Sequence, residues 1–523
     1  MTEATVSAAG HDAGAVPDPG GAPVAMTPRA LRLVIAALML GMLLAALDQT
    51  IVSTALPTIA GSLGGAAHLA WVVVAYLLAS TVSTPLWGKL GDLYGRKRLF
   101  QYAIVIFLVG SVLCGLSQTL GQLIAFRALQ GLGGGGLLIG AQSIIGDIVA
   151  PRERGRYAGY FGATFGSATV LGPLVGGVLT EHASWRWVFY VNLPIGIAAL
   201  IVTAIVLPAH SSRVQHRIDY LGVVALTVAA TSIVLYASLG GVTYPWASPE
   251  MLALAAIGIV GSIAFIAIER RATEAVLPPR LFANRVFSAA SAISFVVGFA
   301  MFGALTYLPF FLQTVRGVSP TLSGLWLLPM MGGLFGASIT AGQLISRGVG
   351  YRRFPIMGTA LMVVGLALLS TIGIDTSDVA LCVDMFVFGV GLGLVMQILI
   401  VAVQNAVEFR DLGTATAGAN FFRMIGGSFG TAVFGAIFTN QLLERLPPGV
   451  HGSVAHLTPK ELHSLPPALL LHVLEAMTQS IQTVFRWAIP VAAIAFGLSF
   501  FLPEIELRRS VGSTEARVAV EHT

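Results

Sequence analysis

The sequence predicts an all-α polytopic membrane protein, built from two six-helix bundles with two additional transmembrane helices between them. Of its 523 residues, 56% are hydrophobic and only 10% are charged, whereas soluble domains carry about 25% charged residues. Apolar segments long enough to cross the ~30 Å hydrocarbon core recur along the chain. Short motifs of the first half also recur, in the same order, in the second half. These observations exclude a soluble enzyme.

Fourteen segments have the length and apolarity of membrane-spanning helices. They lie at 33–57, 70–88, 100–117, 121–147, 157–180, 188–207, 219–240, 251–269, 286–313, 321–345, 354–372, 379–404, 413–439 and 484–502. Most of the 29 Lys and Arg residues fall in the tails and in alternate loops, which by the positive-inside rule places both termini in the cytoplasm. This distribution explains the basic pI without nucleic acid. We predict a multi-pass protein of a bacterial-type cytoplasmic membrane.

The repeat relates the first six segments to the last six. The recurring motifs are Leu56-Pro57 and Leu308-Pro309, Gly88-Lys89-Leu90 and Gly342-Gln343-Leu344, and Gly155, Gly172 and Gly177 with Gly413, Gly430 and Gly435. Parallel repeats of this kind are typical of secondary transporters that bind substrate between the halves. The predicted organisation is a disordered cytoplasmic tail (1–30), a first bundle (31–208), two inserted helices with flanking cytoplasmic loops (209–285), a second bundle (286–503) with a long external loop (440–483), and a cytoplasmic tail (504–523).

Asp48 is the first candidate functional residue. It lies ~13 Å below the far end of the first apolar segment, at 1.5 Å per residue, where an ionisable side chain is costly and marks a functional site by default. All ten histidines lie in tails, loops or helix ends, so carboxylates are the candidate proton carriers. Arg127, at a similar depth in the fourth segment, either extends to the interface as an anchor or faces Asp48.

The loop between the second and third segments carries a second motif. Its basic residues suit positive-inside anchoring, but Asp92 and the glycines Gly88 and Gly95 need another reason, such as close helix approach and a tight turn. The stretch from Gly88 to Arg98 resembles the signature loop of the major facilitator superfamily. The resemblance implies that Asp92 and Arg96, with Asp147 at the end of the fourth segment, form a charge cluster that holds the two halves in one state.

Two further stretches narrow the resemblance. The fifth segment contains Gly166 and then Gly172, Pro173, Gly176 and Gly177; these residues suit helix packing around a proline kink and also resemble the antiporter motif of drug exporters. The run from Trp185 to Gly196 resembles the fourteen-helix drug:proton antiporters of the EmrB/QacA type. That family usually has Asn where this chain has Ser53. The resemblance implies a major facilitator fold and a part for Arg127 in proton transfer.

Three features of the second half leave two interpretations each. Asp384 is either a hydrated carboxylate at a helix end or a second proton or cation site. Arg423 either holds the second bundle together or pairs with Asp384. Residues 465–477 form either a short amphipathic helix on the outer leaflet or a flexible spacer.

Together these patterns predict a transporter and not an enzyme. We expect it to export lipophilic drugs or antibiotics in exchange for protons by alternating access, as a monomer in the lipid bilayer. A lone acidic centre in an apolar cavity favours cationic substrates, with neutral antibiotics as the alternative. We expect no cofactor because the proton gradient supplies the energy, and no ATP because no Gly-x-x-x-x-Gly-Lys-Ser/Thr stretch is present. The alternatives are a dedicated exporter of one endogenous metabolite, such as an antibiotic or siderophore, and a non-transporting membrane sensor or scaffold. The antiporter motif disfavours nutrient uptake.

Overall fold

A computed structural model describes residues 28–63, 70–149, 182–207, 219–240, 244–272, 275–446 and 466–507, with further single positions and residues 174–180 in the segment 157–180. Regular secondary structure in these ranges is helical. Twelve of the described helices are long and apolar enough to cross a membrane, and the helix Arg353–Leu369 is apolar but shorter. The predicted span at 157–180 falls partly outside the described residues. For the whole chain, the number fourteen stays a prediction.

The helices of the first bundle and of the inserted pair follow the predicted order. The first bundle comprises α1 (Pro28–Leu63), α2 (Ala70–Tyr94), α3 (Arg96–Leu116), α4 (Leu120–Ile148), the short α5 (Trp187–Tyr190) and α6 (Asn192–Val206). The inserted pair comprises α7 (Tyr220–Leu239) and α8 (Pro249–Glu269). Gly95 separates α2 from α3 with φ at 93°, a conformation that L side chains rarely adopt. The predicted tight turn is therefore present.

The second bundle begins after a short helix, α9 (Pro279–Ala283). It comprises α10 (Arg285–Phe310) with a π-helical turn at Phe311–Val315, the short α11 (Pro320–Trp326), α12 (Leu328–Ser346), α13 (Arg353–Leu369), α14 (Asp378–Ala406), α15 (Leu412–Arg445) and α16 (Pro467–Ser499). The buried side chains of this bundle form one hydrophobic cluster. Those of the first bundle form separate clusters, so each bundle has its own core.

The inserted pair packs against both bundles. Leu226 and Ala230 of α7 share a hydrophobic cluster with Phe421 and Ile425 of α15, and Val82 of α2 packs at its edge. α7 therefore lies on α2 and α15 beside the seam between the bundles, and α8 packs against α7.

The predicted external loop at 440–483 is wrong at both ends. α15 continues to Arg445, and α16 begins at Pro467; residues 447–465 lie outside the described ranges. Both interpretations of 465–477 fail for the described part, because Val473 and Ala476 are buried in the second core within one helix that continues to Ser499. The sequence-based start of the last span, at residue 484, is too late because the helix carries polar residues before that point. One of them is Gln482, whose amide donates to the Ile372 carbonyl at 2.7 Å.

Candidate functional site

Asp48 and Arg127 meet inside the first bundle. α1 carries Asp48 and α4 carries Arg127, and their side chains are 0% and 1% exposed. Arg127 Nη1 donates to Asp48 Oδ2 in an ion pair. The alternative in which Arg127 extends to the membrane interface is therefore wrong. A role of the pair in proton coupling stays a prediction.

Three uncharged side chains complete what we call the Asp48 cluster: Gln130, Asn192 and Ser111. Asp48 Oδ1 accepts from Gln130 Nε2 at 2.8 Å and from Asn192 Nδ2 at 3.0 Å. Both amides also donate to the Ser111 hydroxyl, at 2.6 and 3.1 Å. The cluster thus joins α1, α3, α4 and α6. It is a closed hydrogen-bonded unit, so Asp48 is not a lone acidic group in an apolar cavity.

The Arg127 guanidinium has further partners besides Asp48. Its Nε donates to the Val72 carbonyl of α2 at 3.1 Å, and its Nη1 donates to Gln130 Oε1 at 2.7 Å. Its face stacks on the Tyr76 ring, with the guanidinium carbon 4.3 Å from the ring centroid, an arrangement that stabilises a cation. These partners allow the arginine to stay buried when its interaction with Asp48 changes.

The amide oxygen of Asn192 gives the Asp48 cluster an acceptor that is not yet used. Asn192 Oδ1 has no hydrogen-bond partner among the described residues. An amide presents donors on one side and an acceptor on the other. If Asp48 gains a proton, the Asn192 amide can rotate and accept from the new O–H group. The cluster therefore has the groups needed to stabilise both protonation states.

The predicted switch residues form a second cluster, the Asp92 cluster. Arg96 Nη2 lies 2.7 Å from Asp92 Oδ1, and Arg96 Nε lies 2.5 Å from Asp147 Oδ2. The turn at Gly95 brings Arg96 back toward Asp92, and Asp147 comes from the end of α4. These three side chains are therefore in contact at one end of the first bundle, as the motif predicts.

Asp92 also binds the second bundle. Its Oδ1 accepts from the Gly413 amide at 3.0 Å, and its Oδ2 accepts from the amide and hydroxyl of Thr414 at 2.7 and 2.9 Å. These amides lie in the first turn of α15, where the helix dipole favours a negative charge. Gly88, on α2, makes room for this contact: a Cβ there would lie 2.5 Å from Ala417 Cβ and 2.7 Å from the Gly413 carbonyl oxygen. The Asp92 cluster therefore fastens one bundle to the other.

A layer of buried amides lies deeper along the same seam. Gln142 of α4 accepts from Asn420 Nδ2 of α15 at 2.8 Å, and its carbonyl accepts from Gln404 Nε2 of α14 at 3.3 Å. Nothing in the sequence pattern singles out these uncharged residues. Their hydrogen bonds extend the contact between bundles beyond the charged cluster.

The segment with the predicted antiporter motif passes close to Asp48. Thr50, two residues along α1, donates to the Ala168 carbonyl at 2.8 Å, and a Cβ at Gly172 would collide with the Thr50 hydroxyl. Gly176 is buried, whereas Gly177 has open space on its Cβ side. Gly166 and Pro173 lie outside the described residues. Ala168 and Gly172 therefore pack against α1 at Thr50, less than one helical turn from Asp48.

Comparison with known proteins identifies the family. The sequence profile of the Major Facilitator Superfamily matches residues 38–431. The chain belongs to this superfamily. It is 44% identical over 486 residues to an uncharacterized MFS-type transporter of Mycobacterium tuberculosis, covering 92% of this chain and 71% of the relative. It is 36% identical to the multidrug transporter protein MdtP of Bacillus subtilis, covering 91% and 93%.

Solved structures of the superfamily have the same fold. The proton:xylose symporter XylE superposes with a TM-score of 0.60 at 13% sequence identity, covering 91% of this chain and 96% of the symporter. The human organic anion transporter MFSD10 superposes with a TM-score of 0.58 at 13% identity, covering 89% and 100%. The chain is therefore a multi-pass transport protein that moves small substrates across a membrane, and not an enzyme, with multidrug and efflux proteins among its relatives.

The two polar residues predicted in the second bundle do not pair. Arg423 Nη2 donates to Asn420 Oδ1 on its own helix, and Asp384 is half-buried. Across the described residues, neither side chain forms an ion pair. The interpretation in which Arg423 pairs with Asp384 is therefore wrong. No group of three or more His, Cys, Asp or Glu side chains in the described ranges has the arrangement of a metal site.

Proposed function

We propose that the chain is a drug:proton antiporter of the fourteen-helix EmrB/QacA type, which exports lipophilic drugs or antibiotics from the cytoplasm. The observation that carries the proposal is a carboxylate buried within a membrane-spanning bundle and bonded to a buried arginine. A transporter has little reason to retain such a costly pair unless it is used. The names of the bacterial relatives and the antiporter motif support export over uptake.

In the proposed proton step, Asp48 alternates between a carboxylate and a neutral carboxylic acid. In the ionised state Arg127, Gln130 and Asn192 all donate to it. In the neutral state Arg127 keeps the Val72 carbonyl and the Gln130 amide oxygen, while Asn192 Oδ1 accepts from the protonated acid. Asp48 then has hydrogen-bond partners in both states. In the neutral state the charge of Arg127 is stabilised only by the Val72 carbonyl, the Gln130 amide oxygen and the Tyr76 ring.

In the proposed transport step, the two bundles rock about the substrate. With both termini in the cytoplasm, as the basic loops indicate, the Asp92 cluster closes the cytoplasmic end. Opening that end separates Asp92 from Gly413 and Thr414. The cluster thus favours the state that is closed to the cytoplasm, and substrate must offset this contact to open it.

Further parts of the proposal follow from the same reasoning. Fourteen spans result if the segment 157–180 and the helix Arg353–Leu369 both cross the membrane. We propose a monomer of a bacterial-type cytoplasmic membrane with no cofactor and no ATP. The electrical part of the proton gradient supplies ~2.3 kcal/mol per charge per 100 mV.

The structure of the Asp48 cluster removes the reason for expecting a cationic substrate. The preference for cations assumed that Asp48 is free to act as their counter-ion. The Arg127 guanidinium already occupies that place, and both side chains are buried. Asp48 therefore offers no support for a cationic substrate.

The proposal is tested in everted membrane vesicles energised by respiration, with ethidium (cationic), a neutral macrolide, pyrenebutyrate (anionic) and a zwitterionic fluoroquinolone as separate substrates. We expect the wild-type protein to accumulate several of them and to lose the accumulation when a protonophore is added. Asp48→Asn abolishes accumulation, whereas Arg486→Gln, on an exposed part of α16, retains it. Full accumulation by Asp48→Asn refutes the proton step. Transport of a single compound favours a dedicated exporter, and transport of none, with the protein folded, favours a sensor or scaffold.

A further inference from the structure

Arg423 is a cation in the middle of a membrane-spanning helix. It lies ~16 Å along α15 from Leu412, at 1.5 Å per residue. The Arg423 side chain packs beside α10, because a Cβ at Gly298 would lie 3.1 Å from Arg423 Cγ and would collide with the Arg423 carbonyl oxygen. The close approach of α10 and α15 at Gly298 fixes the position of the base of the Arg423 side chain.

The charge of Arg423 is not balanced within the part of the protein that the structure describes. Its guanidinium donates to Asn420 Oδ1, a neutral acceptor, and no described carboxylate pairs with it. Arg127, the arginine inside the first bundle, is paired with Asp48. Arg423 is half-buried, and a cation withdrawn from water inside a membrane span without a counter-ion carries a desolvation cost. An anion that arrives from outside the protein would offset that cost.

Arg423 lies beside the seam between the bundles. Its neighbour Asn420 donates to Gln142 of α4 at 2.8 Å. Its other neighbour, Met424, is 3.9 Å from the Thr81 hydroxyl of α2. Residues one turn before and one position after Arg423 therefore contact the first bundle. This seam is where alternating access would expose a bound substrate.

A row of aromatic rings extends from Arg423 along α10 and α15. Phe295, Phe299 and Phe302 follow one face of α10 at spacings of four and three residues, and all three are partly exposed. Phe295 contacts Phe429 with ring centroids 6.2 Å apart, and Phe299 contacts Phe434 with centroids 5.3 Å apart. Phe295 also packs against the cluster shared with α7, and Phe299 and Phe302 pack against the second core. The exposed parts of the three α10 rings provide apolar area that begins next to the unbalanced cation.

We propose that Arg423 binds the anionic group of an amphipathic substrate, a carboxylate or sulfonate on an aromatic or polycyclic body that lies along this row. A guanidinium can hold such a group through two parallel hydrogen bonds. The inference rests on the proposed export function and names its substrate class. The preferred substrates are then lipophilic acids or zwitterions, the reverse of the sequence-based expectation.

The test uses three fluorescent ligands that share one body: pyrenebutyrate (anionic), pyrenebutanol (neutral) and pyrenebutyl-trimethylammonium (cationic). Equilibrium binding to the full-length protein in nanodiscs is measured, with empty nanodiscs subtracted. We expect the wild-type protein to bind pyrenebutyrate at least tenfold more tightly than pyrenebutanol. Arg423→Gln removes this preference, Arg423→Lys keeps part of it, and Arg486→Gln, which removes a cation from an exposed site, leaves it intact.

Binding of pyrenebutyrate by Arg423→Gln with wild-type affinity overturns the inference, and so does equal affinity of the wild-type protein for the three ligands, or binding of none. If Arg423→Gln does not fold, the retained preference of Arg423→Lys against Arg423→Met decides. The two proposals fail through different results. Selective binding of the anion without proton-dependent transport refutes antiport alone. Proton-coupled transport without selective binding of the anion refutes the role of Arg423 alone.

Discussion

The two carboxylate–arginine clusters differ in what they join. Asp48 and Arg127 lie inside the first bundle, at 0% and 1% exposure, and every described partner belongs to that bundle. Asp92 also pairs with an arginine of its own bundle, but three of its hydrogen bonds come from the start of α15 in the other bundle. The first cluster can change its protonation while the bundles stay in contact. The hydrogen bonds of the second cluster to α15 break when the bundles separate.

This difference assigns the two clusters to two tasks. A proton site needs partners that remain in place while the charge changes, and the Asp48 cluster has them. A conformational lock needs partners that lie on both moving bodies, and the Asp92 cluster has those. Substitutions in the two clusters should therefore have different consequences for stability and for conformation.

The largest effect is expected on stability, from removing one member of the buried pair. Arg127→Met leaves Asp48 buried without its counter-ion, and breaking a buried pair in this way costs about 3–5 kcal/mol. We expect a lower thermal unfolding midpoint in detergent for Arg127→Met. The double variant Asp48→Asn/Arg127→Met should recover part of the loss, because it removes both charges. If the two single losses simply add in the double variant, the pair is not coupled.

The next largest effect is expected on conformation, from Asp92→Asn. The amide loses the charge that Arg96 and the start of α15 stabilise, so the end of the molecule that Asp92 closes should open. Spin labels at Tyr94→Cys and Phe409→Cys, both exposed, report the distance across this end. We expect a population at longer distance in Asp92→Asn and no such population in Asp48→Asn. Identical distance distributions in the two variants would remove the distinction between the clusters.

A smaller effect is expected from adding a methyl group between the two bundles at Gly88. In Gly88→Ala the new methyl group meets Ala417 Cβ and the Gly413 carbonyl, and overpacking of this kind costs about 1–3 kcal/mol. The matched control is Gly332→Ala on α12, which has open space on its Cβ side. We expect Gly88→Ala to reduce transport and to open the spin-labelled end, with no change for the control. Equal behaviour of the two variants would show that the close approach at Gly88 is not needed.

The smallest effect is expected from Thr414→Ala. This change removes one hydroxyl donor to Asp92, at 2.9 Å, but leaves the backbone amides of Gly413 and Thr414 in place. A hydrogen bond to a charged group contributes about 1.5–3 kcal/mol, and the two backbone amides keep Asp92 bonded to α15 when this one is lost. We expect a modest rise in the open population, well below that of Asp92→Asn. An effect as large as that of Asp92→Asn would mean that the hydroxyl, and not the helix start, holds the lock.

The charged members of both clusters could be predicted from the sequence. A carboxylate or guanidinium inside an apolar segment is conspicuous, and its position along the segment gives its depth, so Asp48 and Arg127 could be placed at one level. The resemblance to the superfamily's signature loop identified Asp92 and Arg96, together with Asp147 at the end of the fourth segment. Depth and motif together were enough because charge in a membrane is rare and therefore informative.

The uncharged members could not be predicted. Gln130, Asn192 and Ser111 are common in helices, and their parts depend on how each helix is rotated about its axis, which the sequence of one helix does not determine. Gln142, Asn420 and Thr414 depend in addition on which helices of the two bundles touch. Hydropathy also misplaced the start of α16, because a buried helix can carry glutamines that find partners inside the bundle.

The most direct test of the account is proton release from purified protein in weakly buffered detergent solution near neutral pH. A transported compound, chosen from the vesicle experiment, is added, and the released protons are followed with a pH-sensitive dye. We predict release from the wild-type protein and from Asp92→Asn, and no release from Asp48→Asn. Release from Asp48→Asn at the wild-type level would contradict the assignment of the proton to Asp48, and loss of release in Asp92→Asn alone would assign it to the other cluster.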